Sequence, residues 1–122
     1  MRIMLADNRR KVRFALRALL EQQAGLEVID EAVDAQYLLA QVEEDCPDVV
    51  LLDWELPGMA PADLISALRQ ECPDLLVVAL SGRVNARRAA SAAGADAFVS
   101  KGEPPERLLS VIQCCAEKCS GC

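Results

Sequence analysis

Five short apolar runs recur along the chain at regular intervals: RIMLA (2–6), LEVIDEA (26–32), DVVLLD (48–53), LLVVALS (75–81) and DAFVS (96–100). The third and fourth are apolar almost throughout, as strands buried on both faces must be. Amphipathic stretches fill the intervals. In RRKVRFALRALLEQQ, Val12, Leu16, Leu19 and Leu20 recur at helical spacing, and Gly25 marks the stop. Leu38, Leu39 and Val42 mark a second helix, and a third opens with Pro61 in its first turn and buries Leu64, Ile65 and Leu68. A fourth, over roughly 84–93, is Ala-rich and ends at Gly94, while a fifth opens with EPPE and carries Leu108, Leu109 and Ile112. Strand and helix alternate five times with short links. That order predicts one α/β domain over residues 1–122, a doubly wound five-stranded parallel sheet with helices on both faces.

Composition narrows the class. Aromatic residues make up only 3% of the chain, so the core must be aliphatic. No apolar run reaches the ~20 residues that cross a bilayer, and MRIMLADNRR is too short for a signal peptide, so a cytoplasmic protein with no membrane role is expected. A net charge of −6 argues against nucleic-acid binding by this domain alone. The chain has no His, which excludes His-based acid–base catalysis and most zinc sites.

In doubly wound folds ligands bind outside the carboxyl ends of the strands. The first run ends in Asp7-Asn8, the third in Asp53, the fourth in Ser81-Gly82 and the fifth in Ser100-Lys101. The second ends in Asp30-Glu31-Ala32 and contributes nothing obvious. Burying an unpaired carboxylate costs several kcal/mol, so Asp53 is expected where its strand meets water. Carboxylates are hard oxygen ligands of the kind Mg²⁺ prefers, and Lys with Ser suits the oxygens of a phosphoryl group.

This constellation resembles the response-regulator receiver domain of bacterial two-component signalling, over essentially the whole chain. The matching features are the residues after the first strand, the lone Asp53 followed by LPGM, Ser81 with its small neighbour, and Lys101. WELPGM and the first helix lean toward the subfamily that usually carries a helix-turn-helix output domain. The resemblance implies a flavodoxin-like strand order 2-1-3-4-5 and a phosphorylation-dependent switch rather than an enzyme. Asp53 would accept phosphate from a histidine kinase or a phosphotransfer protein. Mg²⁺ would be held by Asp7 and Asp53 with Glu55, through its backbone carbonyl. Ser81 and Lys101 would bind the phosphoryl group, Gly82 would leave it room, and Phe98 would be the aromatic switch. DNA would be reached only through an output domain outside this chain. A homodimer and a longer parent regulator are both left open.

Asn8 departs from the pattern, which usually has two adjacent acids there. Either the Glu55 side chain restores the lost charge, or the domain signals without phosphorylation. An alternative of another class is a small Mg²⁺-dependent phosphatase similar to the haloacid dehalogenase superfamily, since DWE faintly resembles its Asp-x-Asp motif. Its nucleophile, however, belongs on the first strand. Arg9, Arg10, Lys11, Arg13 and Arg17 line the outer side of the first helix, either as a solvated face or as a kinase-docking surface. Arg83, Arg87 and Arg88 load the fourth helix on the expected output face.

Of the six cysteines, Cys46 and Cys72 each precede a Pro-Asp at the end of a helical stretch and read as incidental. Cys115, Cys119 and Cys122 have a spacing found in some iron–sulfur motifs. Leu108, Ile112, Cys115 and Cys119 nevertheless fall on one helical stripe, where Cys is a small apolar residue.

Overall fold

The computed structural model describes residues 1–117. Its elements follow one another as β1 (Arg2–Ala6), α1 (Arg10–Glu21), β2 (Glu27–Ala32), α2 (Ala35–Glu44), β3 (Val49–Asp53), α3 (Pro61–Glu71), β4 (Leu76–Ser81), α4 (Ala86–Ala92), β5 (Ala97–Ser100) and α5 (Pro105–Ala116). The strands form one sheet in the order β2-β1-β3-β4-β5, and every pairing is parallel. The expected strand order is therefore the observed one.

Burial explains the composition of the strands. All five residues of β3 are buried, and so are the last five of β4. One face packs Met4, Val50, Leu52 and Val77 against Leu38, Val42, Leu64 and Leu68 of α2 and α3. The other packs Ile3, Leu5, Leu51, Val78 and Val99 against Leu20 of α1 and Leu108 and Ile112 of α5. Alternate strand residues thus supply opposite layers, and aliphatic side chains fill both. On the first of these faces, toward α4, a small cluster joins Ala79, Ala86 and Ala90 to Phe98.

Local chemistry sets the helix ends. Asp34 caps α2, its carboxylate accepting from the Tyr37 N–H at 2.8 Å. Pro61 begins α3, where its missing N–H loses nothing. Gly94 follows α4 with φ +99°, a conformation that only glycine adopts without strain. α4 begins at Ala86, two residues later than its apolar pattern suggested, because residues 82–85 turn away from β4 before the helix starts.

The cysteine expectation needs correction. Cys46 and Cys72 form a disulfide between the chain after α2 and the C-cap of α3, so they are structural rather than incidental. Each stands just ahead of the turn into its strand, which brings the two together at the amino edge of the sheet. Cys72 also packs in the core at 4% exposure. Cys119 and Cys122, and with them the iron–sulfur spacing, lie outside the described residues. Cys115, as its stripe implied, is buried with Leu108 and Ile112.

The Cys46–Cys72 bond closes a loop of sequence separation 26 that contains β3, Asp53 and α3. Cross-linking a loop of that length restricts the unfolded chain by about 3 kcal/mol. Reduction, or paired replacement of Cys46 and Cys72 by Ala, is expected to lower the melting temperature by on the order of 10 °C in a calorimetric scan. An unchanged melting temperature would show that the bond constrains nothing.

Candidate functional site

Strand ends assemble the site. Asp7 directly follows β1, its N–H donating to the Ala32 carbonyl of β2 at 3.0 Å. Asp53 is the last residue of β3 and is paired with Leu80. The Lys101 N–H donates to the Ser81 carbonyl at 2.8 Å, which starts the Lys101 side chain from the end of β5. From there the side chain passes the end of β4 toward β3 and β1. Its ammonium donates to Asp7 Oδ2 at 2.8 Å and to Asp53 Oδ1 at 3.1 Å.

Both carboxylates are buried, Asp7 at 2% and Asp53 at 3% exposure. The expectation that Asp53 meets water is therefore corrected. The charge tolerates burial because Lys101 pairs with it and the Glu55 N–H donates to Asp53 Oδ1 at 3.2 Å. Among the described residues no hydrogen bond reaches Asp53 Oδ2. Asp7 Oδ1 accepts from the Arg9 N–H at 2.8 Å.

Ser81 is fully buried, and its hydroxyl is engaged elsewhere. It lies 3.2 Å from each oxygen of the Glu55 carboxylate and accepts from the Arg83 N–H at 3.0 Å. Arg83 completes this group with a guanidinium 3.3 Å from Glu55. The Glu55 side chain thus faces Ser81 and Arg83, not Asp7 and Asp53. Among the described residues no three His, Cys, Asp or Glu side chains are disposed to hold a metal. The structure therefore does not place the Glu55 carboxylate where it would replace the acid missing at Asn8, which is exposed. A methyl group at Gly82 would meet no atom within 4 Å, so there is open space at that turn. Phe98 is buried beneath α4, with the Arg87 guanidinium 4.9 Å from the ring centroid.

The donor set still fits a divalent cation. Two carboxylates at one edge are hard oxygen donors, and among the described residues nothing donates to Asp53 Oδ2. Mg²⁺ suits two such carboxylates because it ordinarily keeps several waters.

A family model described as the response regulator receiver domain matches residues 3–113. This chain is a receiver domain. It is 33% identical over 115 residues to the uncharacterized transcriptional regulatory protein YhcZ of Bacillus subtilis (strain 168), spanning 93% of this chain and 54% of that one. It is 32% identical over 113 residues to the nitrate/nitrite response regulator protein NarP of Escherichia coli (strain K12), spanning 91% and 53%. A solved two-component response regulator of the LuxR family from Aurantimonas sp. SI85-9A1 superposes with a TM-score of 0.84 at 32% identity, over 92% of this chain and 81% of that one. The receiver spans about half the length of the curated relatives it matches. Asp53 closes the third strand, whereas the phosphatase reading places its nucleophile on the first.

One contributor escaped sequence reasoning. Glu31, at the end of β2, accepts from Arg13 Nε at 3.0 Å and from Arg17 Nε. Arg13 in turn donates to the Asp7 carbonyl at 2.9 Å. Two of the five basic residues read as either a solvated face or a docking surface are thus tied down, and they brace the loop that carries Asp7. Burial alone would raise the Glu31 carboxyl, but hydrogen bonds from Arg17 and Arg13 outweigh it and hold it below its ordinary value. The same contact raises the Arg17 guanidinium. Basic residues facing an acid one strand away were the available signal, visible only once α1 is known to lie over β2.

Two outcomes follow from this electrostatic frame. Lys101→Met removes the ammonium shared by the buried Asp7 and Asp53 carboxylates and is expected to destabilise the receiver by about 3 kcal/mol in urea unfolding. Adding Asp53→Asn should recover part of that loss, whereas no recovery would mean the ammonium is not what stabilises Asp53. For Glu31 the folded value is lowered, so its stabilisation is present above the unfolded value near 4.5 and is lost as pH falls through the folded one. The stability gap between the parent and Glu31→Gln should accordingly close below that pH.

Proposed function

We propose that this receiver accepts a phosphoryl group on Asp53 from a phosphohistidine of a histidine kinase or phosphotransfer protein. The observation that carries this reading is the Lys101 ammonium bonded to Asp7 and Asp53 at the carboxyl edge of the sheet, with Asp53 Oδ2 left open. Asp53 Oδ2 attacks phosphorus, the O–P bond forms as the N–P bond breaks, and the imidazole nitrogen keeps the electron pair and takes up a proton. Mg²⁺ held by Asp7, Asp53 and the Glu55 backbone carbonyl would supply charge neutralisation to the phosphoryl oxygens.

The phosphoryl group brings about −1.5 to −2 charge to a buried edge. Lys101 already lies within hydrogen-bond distance of the acceptor, so it can move onto the new oxygens without rebuilding the loop. Ser81 can serve them only by leaving Glu55, which hands that carboxylate to Arg83. Residues 82–85 and α4 follow Ser81 directly in the chain, so the exchange reaches the face where Arg87 covers Phe98. The covalent event thereby biases a two-state element.

The kinase or phosphotransfer partner is placed on α1. Phe14 is 76% exposed there beside the exposed Arg10 and Lys11. Next to Lys101, a cavity of about 410 Å³ with an apolar floor including Leu16, Val99 and Leu108 opens between α1 and α5. DNA contact is left to an output domain outside residues 1–122, in keeping with the net charge of −6. No helix among the described residues is long and apolar enough to cross a membrane. A second reading, signalling without phosphate, is favoured by neutral Asn8 and by the engagement of Glu55 with Ser81.

Trp54 adjoins Asp53 and packs against the core beside it, so its fluorescence reports on the site. Beryllofluoride with Mg²⁺ is expected to change that fluorescence, and Asp53→Asn to abolish the response. Acetyl phosphate should label the parent stoichiometrically, with no steady turnover of phosphomonoesters. A silent Trp54 with no label would support the phosphate-independent reading.

A further inference from the structure

The residue after Asn8 is Arg9, and it lies against the same acid that Lys101 holds. Arg9 is the N-cap of α1, and its N–H bonds to Asp7 Oδ1 at 2.8 Å. Its guanidinium Nε lies 3.6 Å from that oxygen, while the Lys101 ammonium occupies Oδ2 at 2.8 Å. Asp7, only 2% exposed, therefore has a cation at each oxygen.

A count of formal charge gives this arrangement its meaning. Asp7 and Asp53 contribute two negative charges, and Lys101 and Arg9 contribute two positive charges. The neighbouring Glu55 and Arg83 balance each other. Within this group of six side chains at the acidic edge the formal charges cancel. A divalent cation entering it finds no excess negative charge, and it must share Asp7 with two resident cations.

We propose that Arg9 is a resident counter-cation of the phosphoacceptor site, competing with divalent metal for Asp7 and setting, together with neutral Asn8, how much metal the site requires. The proposal rests on the reading of Asp53 as phosphoacceptor. It is separable from helix capping, because the Arg9 N–H bond to Asp7 is a backbone bond that any residue but Pro supplies. The Arg9 side chain is 57% exposed, so water and salt screen it, and its effect is smaller than that of Lys101. The direction is nevertheless set: removing the charge favours the metal.

The test is a Mg²⁺ titration followed by Trp54 fluorescence and, independently, by the Mg²⁺-dependent rise in melting temperature. The proteins compared are the parent, Arg9→Gln, Arg9→Lys and Asn8→Asp. At low salt Arg9→Gln is expected to bind Mg²⁺ about two- to fivefold more tightly than the parent, the size of a partly screened ion pair. Arg9→Lys should stay near the parent, and the gap between Arg9→Gln and the parent should narrow at about 0.5 M KCl. Asn8→Asp should also tighten binding, and more so when combined with Arg9→Gln. Equal or weaker Mg²⁺ binding by Arg9→Gln at low salt, in both readouts, would overturn the proposal. A beryllofluoride response surviving in Asp53→Asn would instead overturn the phosphoacceptor reading, a result recorded on a different variant and a different probe.

Discussion

One ammonium holds this site together. Lys101 reaches from the end of β5 past β4 to the buried carboxylates that end β1 and β3. Without a cation there, two adjacent negative charges at 2% and 3% exposure would each carry a desolvation cost of several kcal/mol. The strand order β2-β1-β3-β4-β5 is what makes the contact available, because it places β1 and β3 side by side and keeps β5 within reach of one lysine. The sheet therefore does more than carry the residues: its order decides which charges meet.

Around that contact the remaining charges are matched locally. Glu31 holds Arg13 and Arg17, and Arg13 supports the carbonyl of Asp7. Glu55 holds Ser81 and Arg83. Each group fixes one loop at the carboxyl edge, and each pairs elements that are neighbours in space but distant in sequence. Phosphate on Asp53 would enter a set of matched charges, so its arrival forces partners to be exchanged. In the proposed function that exchange would bias a two-state element, with Ser81 and Lys101 as the residues that change partners. The opposite edge is built differently, with the Cys46–Cys72 bond joining the ends of the α2 and α3 segments beneath β3 and β4.

Much of this was legible in the amino-acid order. Strand boundaries agree with the apolar runs to within one residue, most plainly for β3 and β4, whose burial on both faces leaves an almost continuous apolar run. Asp7, Asp53, Ser81 and Lys101 could be picked out because each ends such a run. What stayed hidden depended on orientation. The side chain of Glu55 had two ways to turn, toward the carboxylates or toward Ser81, and periodicity says nothing about a loop rotamer. The burial of Asp53 was missed for a related reason, since a strand-end acid is exposed unless a distant cation covers it. Cys46 and Cys72 have sequence separation 26, and nothing local signals that their Cα atoms come within 6.0 Å.

Sequence by itself determined the class of fold, the strands and helices, and the residue types offered at each strand end. It did so because burial on both faces of a parallel sheet imposes a pattern along the chain that can be read one residue at a time. Only the tertiary structure decided who pairs with whom: Lys101 with two acids, Glu31 with two arginines, Glu55 with Ser81, and Arg9 with Asp7. Those choices depend on distances of a few ångströms between side chains whose positions are set by packing of the whole sheet, and such distances have no image in a linear order of residues.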